Sequence, residues 1–165
     1  MGFWGYYVVG HGERPLAELD ALGGVREGLA LHERRADDWQ IWEASVPDVG
    51  SMVKLAEDSG EPALFGFVMD SACVAVEAAG PRSGAWNACL ARDGMASFLA
   101  AEGKEPDDLF LPPQDAAERA AAWAAEAGRQ PAPVADLVKV LQAPADPSAE
   151  LLFFRFLERL GLPRQ

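Results

Sequence analysis

The sequence predicts an α+β protein: a mostly antiparallel sheet with element order β-α-β-β-α-β-β-β, followed by three to four C-terminal helices packed on it. Three observations carry this prediction. Residues Glu61 to Ala91 read as three consecutive strands with two tight connections. Phe3 to Val9 alternates aromatic and β-branched side chains up to Gly10. Beyond Ala91 the composition shifts to alanine- and leucine-rich stretches with apolar residues three and four apart.

In chain order, strand one is Phe3 to Val9. Pro15 opens a short helix with Leu16, Leu19 and Leu22 at three-residue spacing, and Gly23-Gly24 stops it. Leu29 to Arg35 and Trp39 to Val46 flank Ala36-Asp37-Asp38 as a hairpin. The charged residues His32, Glu33, Arg34 and Arg35, beside Glu43, are read as cross-strand pairs on a solvated face. A second helix is expected over Pro47 to Asp58, with Val49, Met52, Val53 and Ala56 as its apolar stripe and Ser45-Val46-Pro47-Asp48 as a capping box.

Ala63 to Met69 is apolar on both faces, with Phe65, Phe67 and Met69 on one and Leu64, Gly66 and Val68 on the other. That pattern places it near the sheet centre, covered on both sides. Cys73 to Ala78 and Ala85 to Leu90 complete a meander, joined by Asp70-Ser71-Ala72 and by Gly80-Pro81-Arg82-Ser83-Gly84. The order up to the first meander strand is similar to that of a ferredoxin-like sandwich, extended by two antiparallel strands. This likeness is one of element order and implies no activity.

Met95, Phe98 and Leu99 mark a helix ending at Gly103, and Lys104 to Leu111 is an acidic linker anchored by Leu109 and Phe110. Ala116, Ala120, Trp123 and Ala127 stripe an alanine-rich helix, and Val134, Leu137, Val138 and Leu141 repeat the spacing. Asp146-Pro147 is expected to cap a last helix bearing Leu152, Phe153, Phe156, Leu157 and Leu160. Leu151 and Phe154 fall off that stripe, so this helix is either deeply packed or the seam of a homodimer.

A chain of 165 residues forms one ordinary domain, with 1–91 the sheet-forming part and 92–165 the helical part, and buries roughly two thirds of its unfolded surface without staples. No apolar run reaches the about 18 residues of a membrane span, and the N-terminal segment has no basic leader, so a soluble cytoplasmic protein is expected. Cys73 and Cys89 are expected as buried, reduced thiols. Two histidines and two cysteines without close spacing supply no metal site.

Fourteen basic against 26 acidic residues leave a net charge of -12, which repels nucleic acid and would steer a basic protein partner. No cofactor is implied: Gly10-His11-Gly12 lacks the third glycine of a dinucleotide fingerprint, and Pro15 falls in its place. The candidate ligand- or partner-binding residues are His11, Glu13, His32, Trp42, Asp70 and Glu77. Asp70 and Glu77 would form an acid-base dyad only if the hairpin brought them together, and its ladder is expected to hold them apart. The expectation is a non-catalytic protein-binding module of inhibitor, immunity or adaptor type. The alternative is a small-molecule binder or enzyme with a pocket between the sheet and the C-terminal helices, where tryptophans would supply area and a polar handle.

Overall fold

The computed structural model describes residues 2–46 and 48–163. Among these residues, six strands form one antiparallel sheet: β1 (Gly5–His11), β2 (Leu29–Arg34), β3 (Trp39–Ala44), β4 (Ala63–Met69), β5 (Cys73–Gly80) and β6 (Gly84–Leu90), in the spatial order β2-β3-β1-β4-β5-β6. The fold class is the one expected. The first four strands lie in the order that a split β-α-β pair produces, and β5 and β6 extend it as a meander.

Between β1 and β2, where a helix is expected, the chain instead makes 3-10 turns over Leu16–Glu18 and Asp20–Gly28 and runs through Gly23-Gly24. Glycine-rich sequence of this kind sustains short i to i+3 bonds better than a regular α-helix. Helix α1 (Met52–Ser59) starts later than expected because Ser51 caps it, its hydroxyl accepting from the amides of Val53 at 3.1 Å and Lys54 at 3.4 Å. Of the expected capping box, Pro47 lies outside the described residues. Leu55 rather than Val53 completes the buried stripe, and Val53 is exposed.

The segment before β1 is anchored to the β4-β5 turn. Asp70 and Ser71 both have positive φ, 53° and 51°, and so make the tight β4-β5 turn. The Ser71 hydroxyl accepts from Phe3 N at 2.7 Å and donates to Glu150 Oε2 at 3.0 Å, while Ser71 N donates to Phe3 O at 2.8 Å. The segment carrying Trp4 is thereby tied along the sheet end.

Among the described residues, five helices follow: α2 (Arg92–Ala100), α3 (Pro106–Leu109), α4 (Pro113–Glu126), α5 (Val134–Gln142) and α6 (Ala149–Arg159). The acidic linker thus contains a helical turn, α3, held by reciprocal bonds between Glu105 and Asp108. The last helix is capped by Ser148, whose hydroxyl accepts from Leu151 N at 3.3 Å, rather than by Asp146.

Each face of the sheet has its own core. On one, Tyr7, Leu64, Val68, Val74, Val76, Trp86 and Leu90 pack against α4, α5 and α6. Trp123 of α4 is fully buried there, and its indole N–H donates to the carbonyls of Ala63 at 3.1 Å and Ala79 at 3.2 Å. The stripe Leu152, Phe153, Phe156, Leu157 and Leu160 is completely buried, so α6 spends its apolar face inside the chain and exposes Leu151. On the other face, Val8, Trp42, Ala44, Ala63 and Ala79 pack against the 3-10 turns and α1. The 3-10 turns and α1 therefore lie on one side of the sheet and the C-terminal bundle on the other. No helix among the described residues is long and apolar enough to cross a membrane.

Candidate functional site

The second face is not fully covered, which corrects the expectation that β4 is sealed on both sides. Helix α1 packs over one end of it and α2 over the other. Between them two register rows stay open. The open positions are Phe65, Glu77 and Asn87 in one row, next to the buried Val8, and Tyr6, Phe67 and Ala75 in the other, next to the buried Cys89. Ala75 and the exposed Ala85 are too small to fill the space beside the rings, and that difference in side-chain size makes the face concave. The hollow has a volume of about 530 Å3 and continues to Phe110, Leu111 and Arg119.

Phe65 and Phe67 line the hollow, and from them a continuous aromatic ladder extends along the face beside it. Tyr6 stacks on Phe65 at 6.3 Å and on Phe67 at 4.7 Å between ring centroids, Trp4 lies 6.1 Å from Phe67, and Phe98 of α2 meets Trp4 edge-on at 5.8 Å. Trp4 is 52% exposed, and the other rings are partly exposed. The far wall is held by Asn87, whose side-chain amide donates to Leu109 O at 2.7 Å and accepts from Leu111 N at 3.0 Å. Arg119 caps the same strand edge, donating to Ser83 O at 3.2 Å and Ala85 O at 2.7 Å. Glu77 lies exposed within the hollow, and its carboxylate has no ion pair or hydrogen bond among the described residues.

The sequence candidates separate. Glu77 alone belongs to this hollow. Asp70 sits in the β4-β5 turn, where its Oδ1 accepts from Gly2 N at 2.8 Å, and it lines a different, more polar depression with Arg92, Asp93 and the loop after α5. The register opposes Phe65 to Glu77 and Met69 to Cys73, so the two carboxylates are separated along the ladder and form no dyad. Trp42 is 8% exposed and packs in the second core, which the 3-10 turns and α1 cover, its indole N–H donating to Gln40 Oε1 at 2.8 Å. His11 packs on Trp39 and stands 3.6 Å from Glu61, while Glu13 is exposed in the loop after β1.

His32 belongs to the helical side. A bulge between Leu31 and Glu33 takes it out of the pairing. Its ring stacks on Phe154 at 5.4 Å, and its Nδ1 lies 4.0 Å from Glu43. Beside it Arg35 is 1% exposed, not on a solvated face: it pairs with Glu33 at 2.8 Å, donates to Leu162 O at 3.0 Å and lies over the Phe154 ring. Burying that guanidinium needs such partners, and the adjacent charges in sequence do not reveal them.

The titratable groups near the cores are tuned away from reactivity. Burial, reinforced by the charges of Glu43 and Glu150, pushes the Tyr7 hydroxyl from 10.0 up to about 12. Burial likewise pushes the Cys73 thiol from 9.0 to about 12 and the Cys89 thiol to about 11. None of these supplies a nucleophile at neutral pH, where a depressed value is needed. Both thiols are free and buried, as expected. No group of three or more His, Cys, Asp or Glu among the described residues is placed to hold a metal.

A pH dependence follows with a definite sign. All three groups hold their protons to higher pH in the folded chain than in the unfolded one, so the stability they contribute is whole below about pH 9 and is lost as pH rises towards about 12. Urea unfolding under reducing conditions should show stability falling between these limits. The double replacement Cys73→Ala and Cys89→Ala should flatten part of that fall. A profile with the same slope in the parent and the double variant would contradict the assignment of the thiols.

No protein-family model matches the chain, nor does any curated protein or solved structure.

Proposed function

We propose that the protein is a non-catalytic binding module, of inhibitor, immunity or adaptor type, that takes a basic protein partner on the open aromatic face of its sheet in the cytoplasm. The observation that carries this reading is the ladder Phe65–Tyr6–Phe67–Trp4–Phe98, whose rings stay partly exposed between α1 and α2, with Phe65 and Phe67 lining the hollow. A contiguous apolar surface of this kind marks an interaction site more often than isolated exposed residues do. Aromatic side chains contribute large contact area at small entropic cost. The net charge of -12 favours a partner of opposite sign and speeds its approach.

The alternative of a pocket between the sheet and the C-terminal helices has less support, because that interface is filled by Trp123, Phe153 and Phe156. A small-molecule reading nevertheless keeps one supporting observation, the hollow's volume of about 530 Å3, which suits a small ligand.

The test is affinity capture from a native lysate with the parent protein and with the double variant Trp4→Ala, Phe67→Ala. A basic protein retained by the parent and lost by a variant that still melts cooperatively is the expected result. Equal retention by both, or retention of nothing while a small-molecule panel raises Tm, would count against the protein-binding reading.

A further inference from the structure

Resting on that reading, we infer that the hollow is selective for one feature of the partner: a cationic side chain, arginine or lysine, of an apolar segment, seated against Phe65 with its charge at Glu77. Three features of the site converge on this chemistry.

The first is position. Phe65 and Glu77 are direct cross-strand partners on β4 and β5, and such side chains start about 5 Å apart. A guanidinium lying on the Phe65 ring would therefore reach the carboxylate without displacing either residue. Cations bind aromatic faces within about 6 Å of the ring centroid, more strongly where water is partly excluded.

The second is that the carboxylate is unspent. Other acidic groups beside the sheet are tied down: Asp70 accepts from Gly2, Glu126 from the Arg82 and Ser83 amides and the Ser83 hydroxyl, and Glu150 from Ser71. Glu77 is bound by none of the described residues although it stands among aromatic side chains. A carboxylate beside an apolar surface with no internal partner is matched by a cation brought from outside.

The third is the surrounding charge. The wall formed by Phe110 and Leu111 is preceded by the exposed Asp107 and Asp108 of α3; Asp107 is paired with Arg92, while Asp108, whose Oδ2 accepts from the Glu105 amide, has no cationic partner among the described residues and adds negative charge to the rim. Arg119 is the opposing charge, and it is anchored at the β6 edge by the Ser83 and Ala85 carbonyls. Its place sends a positive guest to the Phe65 side and leaves the β6 side to uncharged or acidic parts of the same segment. The apolar flanks of the guest would cover Tyr6, Phe67 and Trp4.

The experiment uses the intact protein and three capped pentapeptides, acetyl-Gly-Leu-X-Leu-Gly-amide, with X as arginine, citrulline or glutamate. Citrulline keeps the shape of arginine without its charge. Titrations are followed by the aromatic and indole NMR resonances of the ladder residues, Trp4 included, at fixed ionic strength. The arginine peptide should bind at least fivefold more tightly than the citrulline peptide, and the glutamate peptide more weakly still. In Glu77→Gln that preference should collapse to less than twofold with Tm unchanged, since an exposed residue is replaced.

Arginine and citrulline peptides binding equally, or a preference that survives Glu77→Gln, would overturn the inference. So would tetramethylammonium chloride binding as tightly as the peptide, which would make the site one for small cations. If the lysate partner is lost on Trp4→Ala, Phe67→Ala but kept undiminished by Glu77→Gln, the cation subsite fails while the binding-module reading stands. If neither change affects capture, both fail.

Discussion

Ending the chain after Ala145 should abolish cooperative folding. This removes α6, whose side chains Leu152, Phe153, Phe156, Leu157 and Leu160 are fully buried against the sheet and the neighbouring helices. Burying a large apolar side chain contributes roughly 1.5 to 3 kcal/mol. Five of them together approach or exceed the about 5 to 15 kcal/mol of a typical domain. The truncated chain no longer has to order the helix, which returns about 1 to 2 kcal/mol of backbone entropy per residue. That saving does not rescue it, because Tyr7, Leu64 and Val68 would then face water across the sheet centre. Circular dichroism melting and size-exclusion chromatography should show aggregation, or a broad transition at much lower temperature. A sharp, unshifted melt from a monomer would show that α6 is a detachable element and would move the site of partner contact to the surface it leaves.

The second large effect is expected from the smallest change. Gly66 stands at the middle of β4, and a Cβ placed there would meet the Phe153 ring at 2.6 and 2.7 Å. The ring cannot retreat: it is fully buried and stacked on Tyr7 at 5.7 Å. Glycine is needed here for close approach of α6 to the sheet, not for its backbone freedom. Gly66→Ala should therefore cost about 1 to 3 kcal/mol, the usual range for overpacking, and Gly66→Val more. For a chain of this size each kcal/mol lowers Tm by roughly 2 to 4 °C. Combining Gly66→Ala with Phe153→Leu should recover part of the loss, since residues in contact couple. A Tm for Gly66→Ala equal to that of the parent would mean that α6 does not press on β4 as described.

These two residues show where the sequence is legible. Strand β4 occupies Ala63–Met69, the limits its flanking turns predict, and its alternation assigns Leu64, Gly66 and Val68 to one face and Phe65 and Phe67 to the other. Alternation reports that a face is apolar but not what lies over it. Phe65 and Phe67 therefore read as core, although α1 and α2 stop short of each other and leave them partly open. The signal available was the run of small and polar residues opposite them, Ala75, Glu77, Ala85 and Asn87, which cannot complete a packed layer. Trp42 illustrates the reverse: it reads as a candidate binding residue, yet Gln40 accepts from its N–H and it is buried in the core beneath the 3-10 turns and α1. The caps Ser51 and Ser148 were displaced from their expected positions by three to six residues and by two, because proline and aspartate near a helix start compete as signals with serine. Arg35 and Ser71 owe their roles to partners more than 60 residues away, which local pattern does not encode.

The claim that the aromatic ladder is the interaction surface is tested most directly by oxidative footprinting of the captured complex against the free protein. Hydroxyl radicals label exposed aromatic and aliphatic side chains, and Trp4, Tyr6, Phe65 and Phe67 are available in the free chain, as are Leu31 at the β2 edge and Leu151 on α6. Protection confined to Trp4, Tyr6, Phe65 and Phe67, with Leu31 and Leu151 labelled as before, is the predicted result. Protection at Leu31 or Leu151 with an unchanged rate at Trp4 would place the partner elsewhere and contradict it.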